Sequence, residues 1–228
     1  MAYTIYAPER KAPVLGVLFD MDGLVLDTEK LYSRFWQEAA QALGYPMTRD
    51  QALGMRALNS QAGQERLRSY FGPDVSYSQI RAVRIEKMDA YIALHGVEAK
   101  PGIRELLFYL EQQHLGIALA TASPRERIQA YLTPLGLFDR FPVICSGYEV
   151  AHGKPEPDIF LEAARRLGLA PEQCMVLEDS PSGLLAAHRA GCLPVMVPDQ
   201  DQPDGATLPL LYAKADSLSD VIGLLEHL

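Results

Sequence analysis

Val14-Leu15-Gly16-Val17-Leu18-Phe19-Asp20-Met21-Asp22-Gly23 is the stretch on which the fold turns. An unbroken apolar run stops abruptly at Asp20, and such a run suits a strand buried on both faces, as in a parallel sheet. Similar runs recur at residues 117–120, 143–145, 175–177 and 193–197. Helical patterns lie between them at 102–113, 125–135, 158–167 and 183–190, and a last helix fits 218–228 with Ser217 or Ser219 as its N-cap. Strand and helix in alternation predict an α/β fold built on a doubly wound parallel sheet.

Residues 28–99 break that rhythm. Leu31, Phe35, Ala39 and Leu43 repeat at helical spacing, and Tyr32 and Trp36 widen the stripe. Ile80, Val83, Met88, Tyr91 and Ile92 make a second stripe. A small α-helical domain inserted over 28–99, in a core made of 1–27 and 100–228, accounts for both. Lys100-Pro101-Gly102 marks the return to the core, because Pro and Gly together punctuate a chain strongly. Residues 199–209, rich in Asp, Pro and Gly, read as a surface loop.

A length of 228 residues supports a core that folds without staples. The formal net charge of −8 argues against nucleic acid as a partner, since phosphate backbones are held by clustered Lys and Arg. It leaves a small anionic substrate open, because local cations override a global sign. Cys145, Cys174 and Cys192 include no C-x-x-C pair and sit in or beside apolar runs, so buried thiols are expected. No apolar run approaches the ~20 residues of a membrane span. The N-terminal residues lack a signal-peptide pattern, and the chain reads as cytoplasmic. A monomer is the expectation, although the sequence leaves the oligomeric state open.

In open α/β sheets ligands bind outside the carboxyl ends of the strands. The polar residues there are Asp20 and Asp22 after the first run, Thr121 and Ser123 after the second, Lys154 in the loop after the third, and Glu178 and Asp179 after the fourth. Two carboxylates 4 Å apart repel by about 4 kcal/mol at an effective dielectric near 20. A hard divalent cation removes that cost, and Mg²⁺ is usually held by one or two carboxylates with phosphate oxygens and waters. Cation, lysine and hydroxyls together suit a phosphoryl group in transfer. On an extended strand Asp20 and Asp22 point the same way, and Gly23 lets the chain turn, so one carboxylate can attack while its neighbour moves protons.

Phe19-Asp20-Met21-Asp22-Gly23, Thr121, Lys154 and Glu178-Asp179 resemble, in order, the four motifs of the haloacid-dehalogenase-like superfamily of phosphatases. The resemblance spans nearly the whole chain and implies a Rossmann-like core with an inserted cap. It implies Asp20 as nucleophile, Asp22 as general acid/base, Thr121 and Lys154 as phosphate binders, and a Mg²⁺ held by Asp20, the Asp22 carbonyl and Asp179, with Glu178 in support or as a ligand; Ser123, by its place at the strand end, is a further candidate phosphate binder. The helical insert is similar to the cap of the subgroup that includes β-phosphoglucomutase, sugar-phosphate phosphatases and pseudouridine-5′-phosphatase. The substrate so implied is a small phosphorylated metabolite, a sugar phosphate or a nucleoside monophosphate. Tyr32 stands where the mutase has a cap histidine, which favours net hydrolysis. Arg56, beside Gly54, and Trp36 are the cap candidates for reading the substrate.

Blander readings compete at several positions. Ser123 suits the cap of the helix after Pro124, Ser180 and Ser182 suit caps of the helix that follows them, and His152 reads as a surface loop residue. A sugar phosphomutase would use the same Asp20. A phospho-accepting signalling domain also uses strand-end carboxylates, but its lysine would follow the acidic pair, and it leaves a large insert unexplained. The absence of G-x-G-x-x-G and G-x-x-x-x-G-K-[ST] disfavours dinucleotide and nucleoside-triphosphate chemistry.

Overall fold

The computed structural model describes residues 2–7, 12–55, 58, 60–199 and 202–228, residue 29 by its backbone alone. The strands are β1 (Tyr3–Ile5), β2 (Gly16–Phe19), β3 (Gly116–Thr121), β4 (Val143–Ser146), β5 (Cys174–Glu178), β6 (Leu193–Met196) and β7 (Ala213–Ala215). They form one sheet in the order β1-β7-β6-β5-β2-β3-β4. All pairings are parallel except β1 with β7. From β2 the chain steps to β3 and β4, then returns to β5 on the other side of β2 and continues to β6 and β7. That reversal makes the carboxyl ends of β2 and its neighbours the switch point at which such sheets bind ligands.

The unbroken apolar run of β2 is explained by burial on both faces. Leu18 joins Ala118, Val176 and the helix residues Phe160, Ala163, Ala164, Ala186 and Ala187 in one core cluster. Val17 and Phe19 alternate to the opposite face and are also fully buried, with Phe19 packed edge-on against Phe141 at 5.6 Å. Each such Val, Leu or Phe contributes about 1.5–3 kcal/mol when taken out of water. The connecting helices are α5 (Ile103–Gln112), α6 (Arg125–Leu132), α7 (Asp158–Leu167), α8 (Pro181–Arg189) and α9 (Leu218–Glu226). Ser217 caps α9, its hydroxyl accepting from Asp220 N–H. α6 stops before the expected residue 135 because the chain reverses at Gly136, at φ 64°, and Leu137 N–H returns to the Leu132 carbonyl.

The chain divides into two compact units, residues 1–27 with 98–228, and residues 28–97. Within the first unit the two crossing segments are laced together: Asp27 N–H donates to Glu98 O at 2.9 Å, Lys100 N–H to Val25 O at 2.9 Å, and Leu26 bridges Ala99. The second unit is helical, with α1 (Glu29–Ala42), α2 (Arg49–Leu53), α3 (Ser60–Phe71) and α4 (Tyr77–His95). Its core gathers Trp36, Ala39 and Ala40 of α1 with Met47, Ala52, Leu67 and Ile80. Thr48 and Gln51 form a reciprocal capping box on α2, and Ser76 caps α4.

The stretch expected as a surface loop is more structured than its composition suggests. Asp204 accepts backbone N–H groups from Ala206 and Thr207, a one-turn helix follows at Leu208–Leu210, and Thr207 is buried. Among the described residues, no helix is long and apolar enough to cross a membrane.

Cys145, Cys174 and Cys192 are free and buried. Burial pushes the thiols of Cys145 and Cys174 up to about 11 and that of Cys192 higher still. The thiolate is the reactive form, so folded protein at pH 8 is expected to resist iodoacetamide and to take up three equivalents only after denaturation. Rapid alkylation of the native chain, read by intact mass, would contradict this packing.

Candidate active site

Each central strand delivers one polar side chain to the same edge of the sheet. Phe19 pairs with Leu177, and the ladder extends one step further because Asp20 N–H donates to Leu177 O at 3.1 Å. Asp20 therefore leaves β2 level with Glu178 of β5. Thr121 ends β3 and Ser146 ends β4. Asp20, Thr121, Ser123, Ser146 and Glu178 are all buried, although no apolar core would choose them.

Lys154 joins them from the loop before α7. Its ammonium donates to Asp20 Oδ1 at 2.5 Å, to Glu178 Oε1 at 2.7 Å and to the Ala120 carbonyl at 3.1 Å. All three ammonium protons are thus placed, and the Phe160 ring lies 4.9 Å below the charge. Burial by itself disfavours the charged lysine, but Asp20 and Glu178 outweigh it and hold Lys154 above its ordinary value. Burial has the opposite effect on Asp20, whose carboxyl is pushed up to about 7; Lys154 opposes the rise, while Glu178 and Asp22 add to it. One lysine is too little positive charge for this set of carboxylates.

The remaining predicted residues take distinct places. Thr121 Oγ1 accepts from Ser123 N–H at 3.1 Å, which leaves the threonine proton to be donated. The cap reading of Ser123 is not realised, since Pro124 stands at the N-cap of α6 without a side-chain bond. Ser123 Oγ instead donates to Asp22 Oδ2 at 3.3 Å, and its carbonyl accepts from Ser146 Oγ at 2.8 Å. Asp22 sits in a tight turn in which Val25 and Leu26 N–H both return to Met21 O at 2.9 Å, and Gly23, at φ 81°, supplies the left-handed step.

Glu178 accepts four hydrogen bonds. Its Oε1 takes Lys154, and its Oε2 accepts from Asp179 N–H, Ser180 N–H and Ser180 Oγ–H at 2.9–3.1 Å. Direct metal ligation by Glu178 would use Oε1, which carries two lone pairs and accepts the Lys154 ammonium on one of them. Ser180 caps α8 by accepting from Gly183 N–H, in line with the cap reading, and Ser182 lies 3.4 Å from Ser180 Oγ. His152 is an exposed loop residue, hydrogen-bonded to Asp158 at 3.0 Å. Trp36 lies in the core of the helical unit, and Arg56 falls outside the described residues.

Sequence reasoning passed over Ser146 and Gly183. A Cβ built on Gly183 would lie 1.7 Å from Glu178 Oε1, so the helix start is open only because glycine stands there. The spacing from the capping serine, Ser180-x-x-Gly183, was the available signal.

The donor set fits a hard cation. Asp20 and Glu178 share one ammonium, and Asp22 lies close enough to add to the rise that burial imposes on Asp20. Among the described residues, no three His, Cys, Asp or Glu side chains already form a metal cage. Mg²⁺ does not need one, since one or two carboxylates with phosphate oxygens and waters suffice.

Residues 14–191 match the sequence profile of haloacid dehalogenase-like hydrolases. The chain is 34% identical over 212 residues to a phosphorylated carbohydrates phosphatase of Thermotoga maritima, covering 92% of this chain and 90% of that one. It is 33% identical to a Drosophila melanogaster protein named probable pseudouridine-5′-phosphatase, covering 92% and 94%. Among solved structures, CbbY from Rhodobacter sphaeroides in complex with phosphate superposes with a TM-score of 0.72 at 27% identity, over 91% of this chain and 96% of that one.

Gly183→Ala is expected to cost about 1–3 kcal/mol of stability, the usual range for overpacking, even though alanine favours helix. Shortening the opposing side chain in Glu178→Asp/Gly183→Ala should recover part of it. Equal melting temperatures for wild type and Gly183→Ala would contradict the close approach.

Proposed function

We propose that this chain, which belongs to the haloacid dehalogenase-like hydrolase family, is a Mg²⁺-dependent phosphomonoester hydrolase that works through an aspartyl phosphate on Asp20. The carrying observation is the Lys154 ammonium bridging Asp20 and Glu178 at 2.5 and 2.7 Å. It fixes the carboxylate at the end of β2 and supplies a cation where phosphoryl charge must be held.

In the first half of the cycle an Asp20 oxygen attacks phosphorus and the P–O bond to the substrate alcohol breaks. Asp22 gives its proton to that leaving oxygen. In the second half Asp22 takes a proton from water, the water oxygen attacks phosphorus, and the bond to Asp20 breaks to release inorganic phosphate. The Ser123 hydroxyl orients Asp22 for both transfers, and Thr121 and Lys154 hold phosphoryl oxygens. Ser123 would reach the phosphoryl group only by leaving Asp22. Asp20, the Asp22 carbonyl and Asp179 would hold Mg²⁺, which when bound offsets the carboxylate and phosphoryl charge. Glu178 serves by holding Lys154 and the start of α8.

The substrate class proposed is a small phosphorylated metabolite, a sugar phosphate or nucleoside monophosphate. The names of the similar proteins support that class, and Tyr32, at the place of the mutase histidine, supports hydrolysis over isomerisation.

Asp20→Ala should abolish phosphate release from a small phosphomonoester, and Asp22→Ala should lower kcat by about 10²–10⁴-fold, the usual worth of a positioned acid/base. Near-normal turnover by Asp20→Ala would remove the nucleophile assignment. EDTA should stop release and added Mg²⁺ restore it; full activity in chelator would end the metal reading. A screen across sugar phosphates and nucleoside monophosphates, ranked by kcat/KM, identifies the substrate. Turnover that depends on an added bisphosphate would favour the mutase instead.

A further inference from the structure

Ser146 closes β4 and is only 1% exposed, and the proposed cycle gives it no task. It pairs with Thr121 across the β3–β4 ladder, so the two hydroxyl side chains stand on the same face of the sheet. Ser146 Oγ accepts from Tyr148 N–H at 3.2 Å and donates to the Ser123 carbonyl at 2.8 Å. A carbonyl only accepts, so the direction of that second bond is fixed. Ser123 N–H donates in turn to Thr121 Oγ1 at 3.1 Å, and Ser123 Oγ to Asp22 Oδ2 at 3.3 Å. The next residue of β4's end presses on the same turn: a Cβ built on Gly147 would lie 3.1 Å from Ala122 Cα and 3.5 Å from the Thr121 carbonyl oxygen.

The bond from Ser123 to Asp22 is the longest link of this chain, and a further shift of the turn would break it. The following helix does not hold the turn, since Pro124 stands at the N-cap of α6 without a side-chain bond. Anchorage of the Ser123 peptide therefore falls to β4. A proton-transfer group works only within hydrogen-bond reach, and a misplacement of about 1 Å can cost about 10²-fold in rate. We propose that Ser146 is a positioning residue for the proton transfers at Asp22, acting through Ser123, and that Gly147 lets the end of β4 approach closely enough to do so. The proposal rests on Asp22 as the general acid/base. Ser146 touches no reacting atom; it fixes the peptide from which the Ser123 hydroxyl reaches Asp22.

Two esters separate this role from a merely structural one. p-Nitrophenolate departs without a proton, whereas the alkoxide of glycerol 2-phosphate needs one from Asp22, and kcat/KM reads that first transfer alone. In the full chain with Mg²⁺, Ser146→Ala should lower kcat/KM for glycerol 2-phosphate by about tenfold or more, and for p-nitrophenyl phosphate by less than about threefold. Inhibition by inorganic phosphate should stay within about twofold of wild type, because Thr121 and Lys154 keep their own anchors. Ser146→Thr keeps a hydroxyl and should recover most of the loss. Gly147→Ala crowds the turn without removing a donor and should show the same ester preference, which keeps the test open if Ser146→Ala does not fold. In an Asp22→Asn background Ser146→Ala should add less than about twofold, since the two act as one unit. Equal losses with both esters, a loss of phosphate inhibition alongside them, or an undiminished effect in Asp22→Asn would overturn the proposal. Asp22→Asn alone tells the two readings apart: if it too fails to discriminate between the esters, the acid/base reading falls, and if it discriminates while Ser146→Ala does not, only the role of Ser146 falls.

Discussion

The site depends on one ammonium among acidic side chains. Lys154 reaches across from the loop before α7 and ties Asp20 of one strand end to Glu178 of its neighbour. Without it, two buried carboxylates on adjacent strands would repel and one would be forced to protonate. With it, Asp20 still sits near neutrality, pushed up by burial to about 7. Two buried carboxylates thus share one ammonium, and the proposed dication and phosphoryl chemistry rests on that excess of acidic groups.

The scaffold makes this possible through close packing that leaves no slack. Alanines on α7 and α8 bring the helices down onto the sheet. Glu178 is thereby pressed over the start of α8, where only Gly183 leaves room for it. Its second oxygen collects Asp179 and Ser180 amides, so the loop carrying Asp179 is shaped by the same residue that holds the lysine. Removal of Glu178 would release Lys154 and this loop together. Ser146 and Ser123 form a parallel chain on the other side of β2, passing order from β4 to Asp22 through two hydrogen bonds.

Much of this was legible in the residues. Apolar runs ending in Asp20, Thr121 and Glu178 mark buried parallel strands because period-free hydrophobicity and an abrupt polar stop have one simple structural reading. Two strands were not legible. β1 and β7 are three residues each, paired antiparallel at the sheet edge, and three residues show no periodicity. The polar α3 was similarly indistinct within the helical insert, where the stripes of α1 and α4 stood out. Partnership was the deeper gap. That Ser123 turns to Asp22 rather than capping α6, that Lys154 reaches Asp20, and that Arg84 lies on Tyr32 and Trp36 are contacts between residues about 50 or more apart in the chain. Local pattern cannot encode them.

The two units differ in chemistry: a charged strand edge in the α/β unit, and an aromatic and aliphatic core around Trp36 in the helical one. The central claim concerns the former, that Asp20 becomes covalently phosphorylated in each cycle. Acid quenching during steady-state turnover, followed by peptide mass mapping, tests it directly. The account predicts one phosphoryl group on the peptide containing Asp20, lost on chase with unlabelled substrate at the rate of turnover. A phosphoryl group found instead on Thr121 or Ser123, or rapid phosphate release with no phosphopeptide formed at any time point, would contradict it.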